Sequence, residues 1–287
     1  MGRKVLFMII NSSYQSPVDG TLKYQILTSD NHLIEACVIF FWEKPTPVNI
    51  CISSQVGCEC KCSFCVTGYK RFIRNLSTEE IREQVDAIFA RNPDLLRYNF
   101  EITYMGTGEP MQNWDNVVSS AKLFSNQYLQ LSRINISSIF PKVDSSLEKI
   151  FLIKTPIHFQ FSMHFVTDEL RRKYFRKELP TITSVLDALS QMYNGTGSLF
   201  CINYILFNTI NDRLHDANAL IQIIQSYPAY LKISKYCPIE YSELEPSNNY
   251  EYFTSVLNSA GIKWKAFESK GIDIHAACGH LLSDIHF

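Results

Sequence analysis

Three cysteines stand close together in the first quarter of the chain. Cys58, Cys62 and Cys65 follow a Cys-x3-Cys-x2-Cys spacing on one short stretch. Three thiolates on one loop can hold three irons of a [4Fe–4S] cluster and leave the fourth iron open, whereas electron-transfer clusters are closed by four cysteines. The spacing therefore predicts an iron–sulfur site that takes part in chemistry and does not only transfer electrons.

A zinc site is the alternative for the same loop. Cys60 adds a fourth thiol beside Cys58, Cys62 and Cys65. Structural zinc more often uses two Cys-x2-Cys pairs on separate loops, and the sequence supplies no second pair here. The pattern favours iron–sulfur, with no ligand role for Cys60.

The charges of the chain are balanced. It has 287 residues, 46% of them hydrophobic, and carries 27 Lys and Arg against 28 Asp and Glu, a formal charge of −1. Such a chain can bury a substantial core but exerts no overall attraction on nucleic acid, so any affinity for RNA must be local. Lys70, Arg71 and Arg74, beside the cysteine loop, are the better candidates for RNA contacts, and they equally suit a small anionic substrate.

A second basic stretch alternates with aromatic residues. It contains Arg171, Arg172, Lys173, Arg176 and Lys177, interleaved with Tyr174 and Phe175. Such side chains could contact phosphates and stack on bases. A solvated helix face explains the same charges and is the favoured interpretation.

The apolar run at the start of the chain turns polar at Asn11 and is too short to span a membrane. It also has no small-residue cleavage site, so we expect a strand and not a signal peptide. Five of the nine cysteines lie between positions 51 and 65, where a disulfide framework would scatter them. The sequence predicts a cytoplasmic protein with reduced thiols and no membrane partner.

Two regions differ in their local patterns. Residues 1–46 alternate short apolar runs with turn signals, which predicts a small strand-rich extension, and residues 47–287 form the predicted core. Past the cysteine loop, Ser77 is a predicted helix N-cap with Glu80 three residues on. Ile81, Val85 and Ile88 then follow at helical spacing.

A rhythm of strand, loop and helix then repeats. A strand over residues 98–104 ends in the glycine-rich stretch Met105-Gly-Thr-Gly-Glu-Pro110, and a helix with Trp114 and Val117 follows. Further strands are predicted over residues 134–138, 159–164, 199–207, 230–236 and 262–267. Repeated strand-then-helix units indicate an α/β fold with a parallel sheet, an open or partial barrel whose catalytic residues gather at strand C-terminal ends.

Three motifs together carry a resemblance to a known family. The cysteine spacing, with Phe64 before the last thiol, resembles the radical S-adenosylmethionine (SAM) superfamily, and Met105–Pro110 is similar to its glycine-rich loop. With the string from Cys51 to Cys58 and the ending Gly271-Ile-Asp-Ile-His-Ala-Ala-Cys-Gly279, the chain resembles the RlmN/Cfr family of class A radical SAM methyltransferases, which methylate carbons of an adenine in RNA. The match runs from about Asp19 to Leu282. It implies a partial (β/α)6 barrel with a small N-terminal β-rich extension.

The resemblance implies roles for individual residues. Cys58, Cys62 and Cys65 would ligate the cluster, and backbone at Gly108 and Glu109 would meet the amino group of SAM. Ser162, Met163 and His164 match the family's Ser-Leu-His at the SAM site. Ser137 matches a family serine that contacts the SAM ribose, but the neighbouring Ser138 leaves the register of that match open. A strand whose polar face meets solvent would look the same as Ser162-Met-His164.

The resemblance also implies a reaction that uses two SAM molecules per turnover. An adenine C2 or C8 carbon has no lone pair with which to attack a methyl group, so a radical route is needed. One SAM would methylate the thiolate of Cys278. A second would be cleaved to a 5′-deoxyadenosyl radical, which takes a hydrogen from the S-methyl group so that the methylene adds to the ring. Glu35 matches the proposed proton acceptor, and Cys51 matches the resolving thiol that closes a transient disulfide with Cys278.

Simpler explanations exist for several of these residues. Glu35, placed before a predicted strand, could be a surface glutamate, and Cys278 could be a small buried side chain. Cys37 and Cys201 lie in apolar strands and are expected in the core.

Three departures from the family pattern bear on the substrate. About fifty residues precede Cys51, so we expect the chain to lack most of the family's helical N-terminal domain. Cys237 stands where the family has a SAM-binding asparagine, whose amide a thiol cannot replace, and Tyr174–Glu178 replaces a Pro-Ile-Asn stretch. Three hypotheses follow. The first is a methyltransferase that acts on ribosomal or transfer RNA, and the second is the same reaction on a small heteroaromatic molecule or peptide, each with a flavodoxin- or ferredoxin-type reductant. The third is a non-methylating iron–sulfur or zinc module.

Overall fold

A computed structural model describes residues 8–282, and within that range one ten-stranded sheet forms the framework. Strands β1 (Met8–Gln15), β2 (Leu22–Thr28), β3 (Leu33–Phe40) and β4 (Val48–Ile52) pair antiparallel in this order. The strand-rich extension is thus present, and the same sheet continues from it into the core. The start of the N-terminal apolar run, residues 1–7, lies outside the described residues.

Beyond β4 the sheet is parallel. Two short strands, β5 (Gln55–Val56) and β6 (Arg74–Asn75), pair with each other on either side of the cysteine loop. The parallel order then runs from β4 through β7 (Phe100–Tyr104), β8 (Leu131–Ser138), β9 (Ile157–Ser162), β10 (Phe200–Leu206), β11 (Ala229–Lys235) and β12 (Trp264–Phe267). The α/β partial barrel is confirmed, with one parallel strand more than a (β/α)6 unit contains within the described part of the chain.

Six helices cover the outer face of this part of the sheet. They are α1 (Thr78–Arg91), α2 (Trp114–Gln127), α3 (Asp168–Phe175), α4 (Ile182–Thr196), α5 (Leu214–Ser226) and α6 (Tyr250–Ser259), all within residues 8–282. Helix α1 begins as predicted, since Ser77 Oγ accepts the Glu80 N–H at 3.2 Å and the Glu80 carboxylate accepts the Ser77 N–H at 2.8 Å. The link from β8 to β9 contains a 3₁₀-helix, Ser145–Leu152, where an α-helix was expected.

Alternation along the strands separates a helix-covered face from the barrel interior. Ile102, Ile134 and Ile233 are fully buried in the core under the helices. Polar residues at the alternating positions, such as Gln160 and Lys232, line the interior cavity. Among the described residues, no helix is long and apolar enough to cross a membrane.

Candidate active site

A cavity at the C-terminal ends of the parallel strands brings most of the predicted site residues together. Its lining includes Cys58, Cys62, Cys65, Gly108, Glu109, Ser137, Ser162, His164 and Cys278. The cysteine loop and Cys278 lie more than two hundred positions apart in the sequence. Their meeting is therefore a product of the fold.

The cysteine loop is held by its own turns and by an aromatic side chain. Cys65 N–H donates to the Cys62 carbonyl at 3.2 Å, and Gly68 N–H donates to the Cys65 carbonyl at 2.9 Å. The Phe64 ring packs edge-on against His164, with ring centroids 5.3 Å apart, and lies 5.4 Å from that of Phe207. The aromatic residue of the motif thus fixes the loop against the ends of β9 and β10.

The three thiols of the loop fit the ligand set of an iron–sulfur cluster. Burial raises the pKa of Cys65 to about 11, and burial with the charges of Cys58 and Cys65 raises the pKa of Cys62. Bound iron would remove this mutual repulsion, because a metal favours the thiolate. Among the described residues no three His, Cys, Asp or Glu side chains converge on a single metal position. A cluster in which each thiolate binds its own iron does not require such convergence.

Cys60 differs from its three neighbours. A hydrogen bond with Cys58 and burial both raise the pKa of the Cys60 thiol. This thiol lies 3.8 Å from Gln112 Oε1, to which it donates. The arrangement suits a protonated side chain and agrees with the expectation of no ligand role.

The glycine-rich loop packs tightly on β5. A Cβ at Gly108, where φ is +107°, would lie 2.6 Å from the Gln55 side chain. Gln55 Oε1 also accepts the Glu109 N–H at 2.8 Å. The Glu109 carboxylate accepts the Ile139 N–H at 3.1 Å and the Ser138 hydroxyl at 2.5 Å, and burial raises its pKa to about 7. That side chain therefore ties the loop to the end of β8.

The two serines at the end of β8 both line the cavity but have different hydrogen-bond partners. Ser138 is bound to Glu109, whereas the Ser137 hydroxyl lies in the cavity, 3.3 Å from Ser162 Oγ. Gln160 Nε2 donates to Ser137 at 2.9 Å. Ser137 and Ser162 thus lie where the sequence predicts SAM contacts, although such contacts stay a prediction.

His164 and Met163 differ in their placement. His164 lines the cavity, its Nδ1 accepts the Ile205 N–H at 3.2 Å, and burial lowers its pKa to about 3, so the ring is neutral. Met163 is fully buried in the core on the helix side of the sheet. Contrary to the expectation, the Met163 side chain therefore does not line the site, because alternation points it away from the side chains of Ser162 and His164.

The segment that carries Cys278 lies between the N-terminal extension and the cysteine loop. We call Gly271–Leu282 the carrier loop. On one side Gly279 accepts the Val66 N–H at 2.7 Å through its carbonyl, and with φ at +85° a Cβ there would lie 2.9 Å from the Phe64 carbonyl oxygen. On the other side the loop contacts Ser16, Asp19, Lys23 and Glu35.

Glu35 and Lys23 form a buried ion pair beneath the carrier loop. Glu35 lies within β3 and not before it, is fully buried, and has its Oε2 2.9 Å from Lys23 Nζ. Glu35 also accepts the Leu282 N–H at 2.7 Å, and Lys23 donates to the His275 carbonyl at 2.9 Å. The surface-glutamate explanation is therefore wrong, and the carboxylate lies behind the loop and outside the cavity lining.

Cys51 packs against the carrier loop and lies near Cys278. Burial and then the nearby Cys278 raise the pKa of Cys51, which is almost fully buried on β4. Cys278 exposes its thiol to the cavity, so the buried-residue explanation is wrong. The protein atoms around the cavity nevertheless raise the pKa of Cys278, and the Lys232 ammonium acts in the opposite direction. Cys37 and Cys201 are buried as expected.

Several cavity residues escaped the sequence analysis. Gln160, Asn203, Lys232 and Phe267 all line the cavity, and Cys237 lies there as well. The available signal was the recurrence of polar residues at every second position of predicted strands, which marks one polar face. The resemblance identifies only residues that match the family's motifs, and the residues of this polar face lie outside them.

In the second basic stretch Arg172, Lys173 and Arg176 are exposed, as the solvated-face interpretation predicts, but Arg171 is not. Arg171 is fully buried and donates to the Ile139 carbonyl at 2.8 Å, with its guanidinium 4.9 Å from the Phe161 ring, so both the solvated-face and the RNA interpretation are wrong for it. Arg74 is engaged by Asp30 at 2.6 Å and Glu80 at 2.8 Å, which removes it from the RNA candidates.

Comparison with known proteins agrees with this geometry. Residues 52–220 match the model of the radical SAM superfamily. The chain is 31% identical over 277 residues to a dual-specificity RNA methyltransferase RlmN from Campylobacter fetus subsp. fetus, covering 92% of this chain and 78% of the relative. A probable dual-specificity RNA methyltransferase RlmN from Thermotoga maritima is 30% identical over 286 residues, covering 96% and 80%.

A solved structure shows the same fold. The radical SAM methyltransferase from Sphaerobacter thermophilus superposes with a TM-score of 0.86 at 24% identity, covering 97% of this chain and 82% of that one. Radical SAM enzymes hold a [4Fe–4S] cluster and SAM, and the three loop thiols fit that cluster. The hypothesis of a passive metal-binding module is therefore wrong. With this identity and coverage, the chain is a radical SAM enzyme that belongs to the RlmN/Cfr family.

Proposed function

We propose that this enzyme methylates an adenine in RNA at an sp2 carbon, C2 or C8, through a methyl group carried by Cys278. The observation that supports this most directly is the cavity that the Cys278 thiol shares with Cys58, Cys62 and Cys65. A methyl group on that sulfur would lie next to the cluster ligands. The relatives named as RNA methyltransferases support RNA as the substrate class.

The cavity residues divide into cluster ligands and SAM contacts. Cys58, Cys62 and Cys65 would hold the cluster, which when bound would supply the electron for the reductive cleavage of SAM. Backbone at Gly108 and Glu109 and the hydroxyls of Ser137 and Ser162 line the same cavity and would orient SAM, and the neutral His164 holds the strand end through Ile205.

Cys278 accepts the methyl group of one SAM as a thiolate, and the second SAM serves the radical step. The thiolate is the competent nucleophile for such a displacement. Lys232 is the cation that favours the thiolate in this cavity. Cys237, which also lines the cavity, occupies the position of the family's asparagine without its amide.

Release of the product uses residues behind the carrier loop. The ring adduct formed by methylene addition would give up one electron, for which the cluster would be the acceptor, and Glu35 accepts the proton of the substituted ring carbon. The Cys51 thiolate then attacks the Cys278 sulfur and forms the Cys51–Cys278 disulfide. The bond between that sulfur and the methylene carbon breaks, and the carbon keeps the electron pair and takes up a proton, which completes the methyl group and frees the base. Both groups lie under the loop, so each of these roles requires the loop to shift. The ion pair with Lys23 holds the Glu35 carboxylate in position until then.

An exposed aromatic and basic surface lies beside the cysteine loop. We call Tyr69, Lys70, Arg176 and Tyr241 the Tyr69 surface. The Tyr69 and Tyr241 rings are 5.5 Å apart, Arg176 lies 4.8 Å from the Tyr69 ring, and Lys70 lies 5.8 Å from the Tyr241 ring. Neighbouring aromatic rings with cations beside them suit single-stranded RNA, whose bases can stack on the rings.

We further propose a flavodoxin- or ferredoxin-type reductant and a cytoplasmic location.

The proposal is tested with methyl-labelled SAM. The anaerobic holoenzyme is incubated with labelled SAM, reductant and RNA transcripts, and mass spectrometry follows the label on Cys278 and in nucleosides from the digested RNA. We expect a labelled methyl group on Cys278 and labelled 2-methyl- or 8-methyladenosine. Cys278→Ala abolishes both signals, while the control Cys201→Ala retains them. A Cys278→Ala enzyme that still methylates RNA would refute the carrier role, and label found only in small molecules would refute RNA as substrate.

A further inference from the structure

Strand β3 places another thiol directly opposite Cys51. Cys37 on β3 pairs in register with Cys51 on β4, and the two strands are antiparallel. Residues opposite each other in such a pair have Cα atoms about 4.5–5.5 Å apart and side chains on the same face. A disulfide needs Cα atoms roughly 4.4–6.8 Å apart. The backbone therefore already suits a bond between Cys37 and Cys51.

The surroundings of Cys37 connect it to the carrier loop. Cys37 and Cys51 belong to one buried group with three residues of that loop, Ile274, Ala276 and Leu281. The Cys37 thiol points to the Ala276 carbonyl oxygen at 4.0 Å. Cys37 thus lies next to Cys51 and under the segment that carries Cys278.

A buried cation flanks the same thiol. Lys23 on β2 pairs in register with Cys37, so the row across the sheet is Lys23, Cys37 and Cys51 on one face. Burial and the proximity of Cys51 raise the pKa of Cys37, and Lys23 opposes this shift. The mechanism proposed above gives no role to Cys37.

We propose that Cys37 is a third exchange thiol, which attacks the Cys51 sulfur of the Cys51–Cys278 disulfide. The inference rests on the proposed function, which supplies that disulfide. The Cys37 sulfur provides the electron pair of the new Cys37–Cys51 bond. The Cys278 sulfur leaves with the pair of the broken bond and takes up the proton that Cys37 gives up. The exchange is redox-neutral and returns Cys278 to the cavity as a free thiol.

A complete cycle then needs two electrons and two protons for the Cys37–Cys51 bond. A dithiol reductant of the thioredoxin class supplies them and leaves as a disulfide. Because the carrier loop covers both sulfurs, this reduction takes place when the loop is displaced. Because of the exchange, Cys278 becomes a free thiol again before the external dithiol reduces the enzyme.

The test maps disulfides without requiring turnover. The anaerobic holoenzyme is equilibrated with mixtures of reduced and oxidised glutathione, quenched in acid, alkylated with N-ethylmaleimide and mapped by mass spectrometry of unreduced peptides. We expect a Cys37–Cys51 cross-link with alkylated Cys278 in the wild type. In Cys37→Ala, and in Cys37→Val, whose larger side chain fills more of the space left by the thiol, Cys278 should no longer be alkylated and a Cys51–Cys278 cross-link should appear instead. The Cys201→Ala control should give the same map as the wild type.

The outcomes separate this inference from the proposed function. A wild-type map that shows only Cys51–Cys278, or Cys237–Cys278, with Cys37 alkylated would overturn the exchange role. A second measurement uses methylation: after one turnover without dithiol, Cys278 of the wild type should accept a second methyl group from SAM, whereas Cys278 of the Cys37 variants should stay in the disulfide and accept none. A second methyl group on Cys278 in the Cys37 variants would also refute it. A Cys37–Cys51 cross-link in an enzyme that never methylates Cys278 would instead refute the proposed function.

Discussion

In the proposed reaction the Cys278 thiol must ionise before it accepts a methyl group, and its surroundings shift its pKa in both directions. The enclosing protein raises its pKa, because a thiolate is poorly solvated there. Lys232 on β11 opposes this from the same cavity, where its Nζ also donates to Gln160 Oε1 at 2.5 Å. One residue that belongs to none of the recognised motifs therefore tunes the methyl carrier.

We expect methylation of Cys278 to accelerate as the pH rises. Its pKa lies above the ordinary thiol value, so below that pKa the thiolate fraction grows about tenfold per pH unit. Lys232→Met should raise the pKa further, slow methylation at neutral pH and move the profile to higher pH. Mass spectrometry of Cys278 without reductant measures the rate. Lys235→Met is the matched control, since Lys235 lines the same cavity but pairs with Glu268 at 3.0 Å. Identical profiles for the wild type and Lys232→Met would contradict the prediction.

At the scale of elements, the carrier loop is held from two sides. It is bound to the extension through the Lys23 and Glu35 side chains and to the cysteine loop through the Gly279 carbonyl. The N-terminal extension therefore forms the surface on which the carrier loop packs.

Breaking the buried pair should loosen the loop. Lys23→Met or Glu35→Gln leaves one buried charged partner unpaired, which we expect to cost about 3–5 kcal/mol. Hydrogen exchange of the peptide covering residues 271–282 should accelerate in both variants, and urea unfolding measures the loss of stability. The control Arg97→Met removes an exposed pair with Asp94, worth less than about 1 kcal/mol. Unchanged exchange in the loop would contradict its proposed fastening.

Local signals account for what the sequence could predict at this scale. The Ser77 capping box and the strand-to-loop transitions depend on neighbouring residues, so they were foreseen. The burial of Glu35 and Arg171 depends on partners far along the chain, Leu282 for Glu35 and the Ile139 carbonyl for Arg171. A charged residue in an isolated stretch looks solvated, because the partners that compensate its burial are absent from that stretch.

Considered as a whole, the molecule must bind its substrate without an overall attractive charge. The formal charge is −1, so contacts to phosphates must come from a confined area. The Tyr69 surface offers such an area next to the cysteine loop. The sequence identified Lys70 correctly as a neighbour of the loop, whereas the contact between the Tyr69 and Tyr241 rings joins segments that only the fold brings together.

Charge reversal on this surface should weaken RNA binding. We expect Lys70→Glu and Arg176→Glu each to lower affinity and to reduce the dependence of log K on log salt by about one unit, because each removes a phosphate contact. Filter binding of single-stranded RNA at two or more salt concentrations measures both quantities. Lys263→Glu, exposed just before β12 at the opposite end of the parallel strands, serves as the control. Equal salt slopes in all variants would exclude the Tyr69 surface as the RNA contact.

The fastening of the carrier loop to the extension also has a consequence for biosynthesis. Lys23 and His275 are separated by 252 positions, and Glu35 and Leu282 by 247. During translation the extension is synthesised long before the carrier loop that packs on it. Contacts between such distant positions form late, because closing the intervening chain costs entropy. The segment that contains Cys278 is thus docked at the end of folding. A nascent or interrupted chain can contain the cysteine loop, but it does not yet hold in place the thiol that we propose as the methyl carrier.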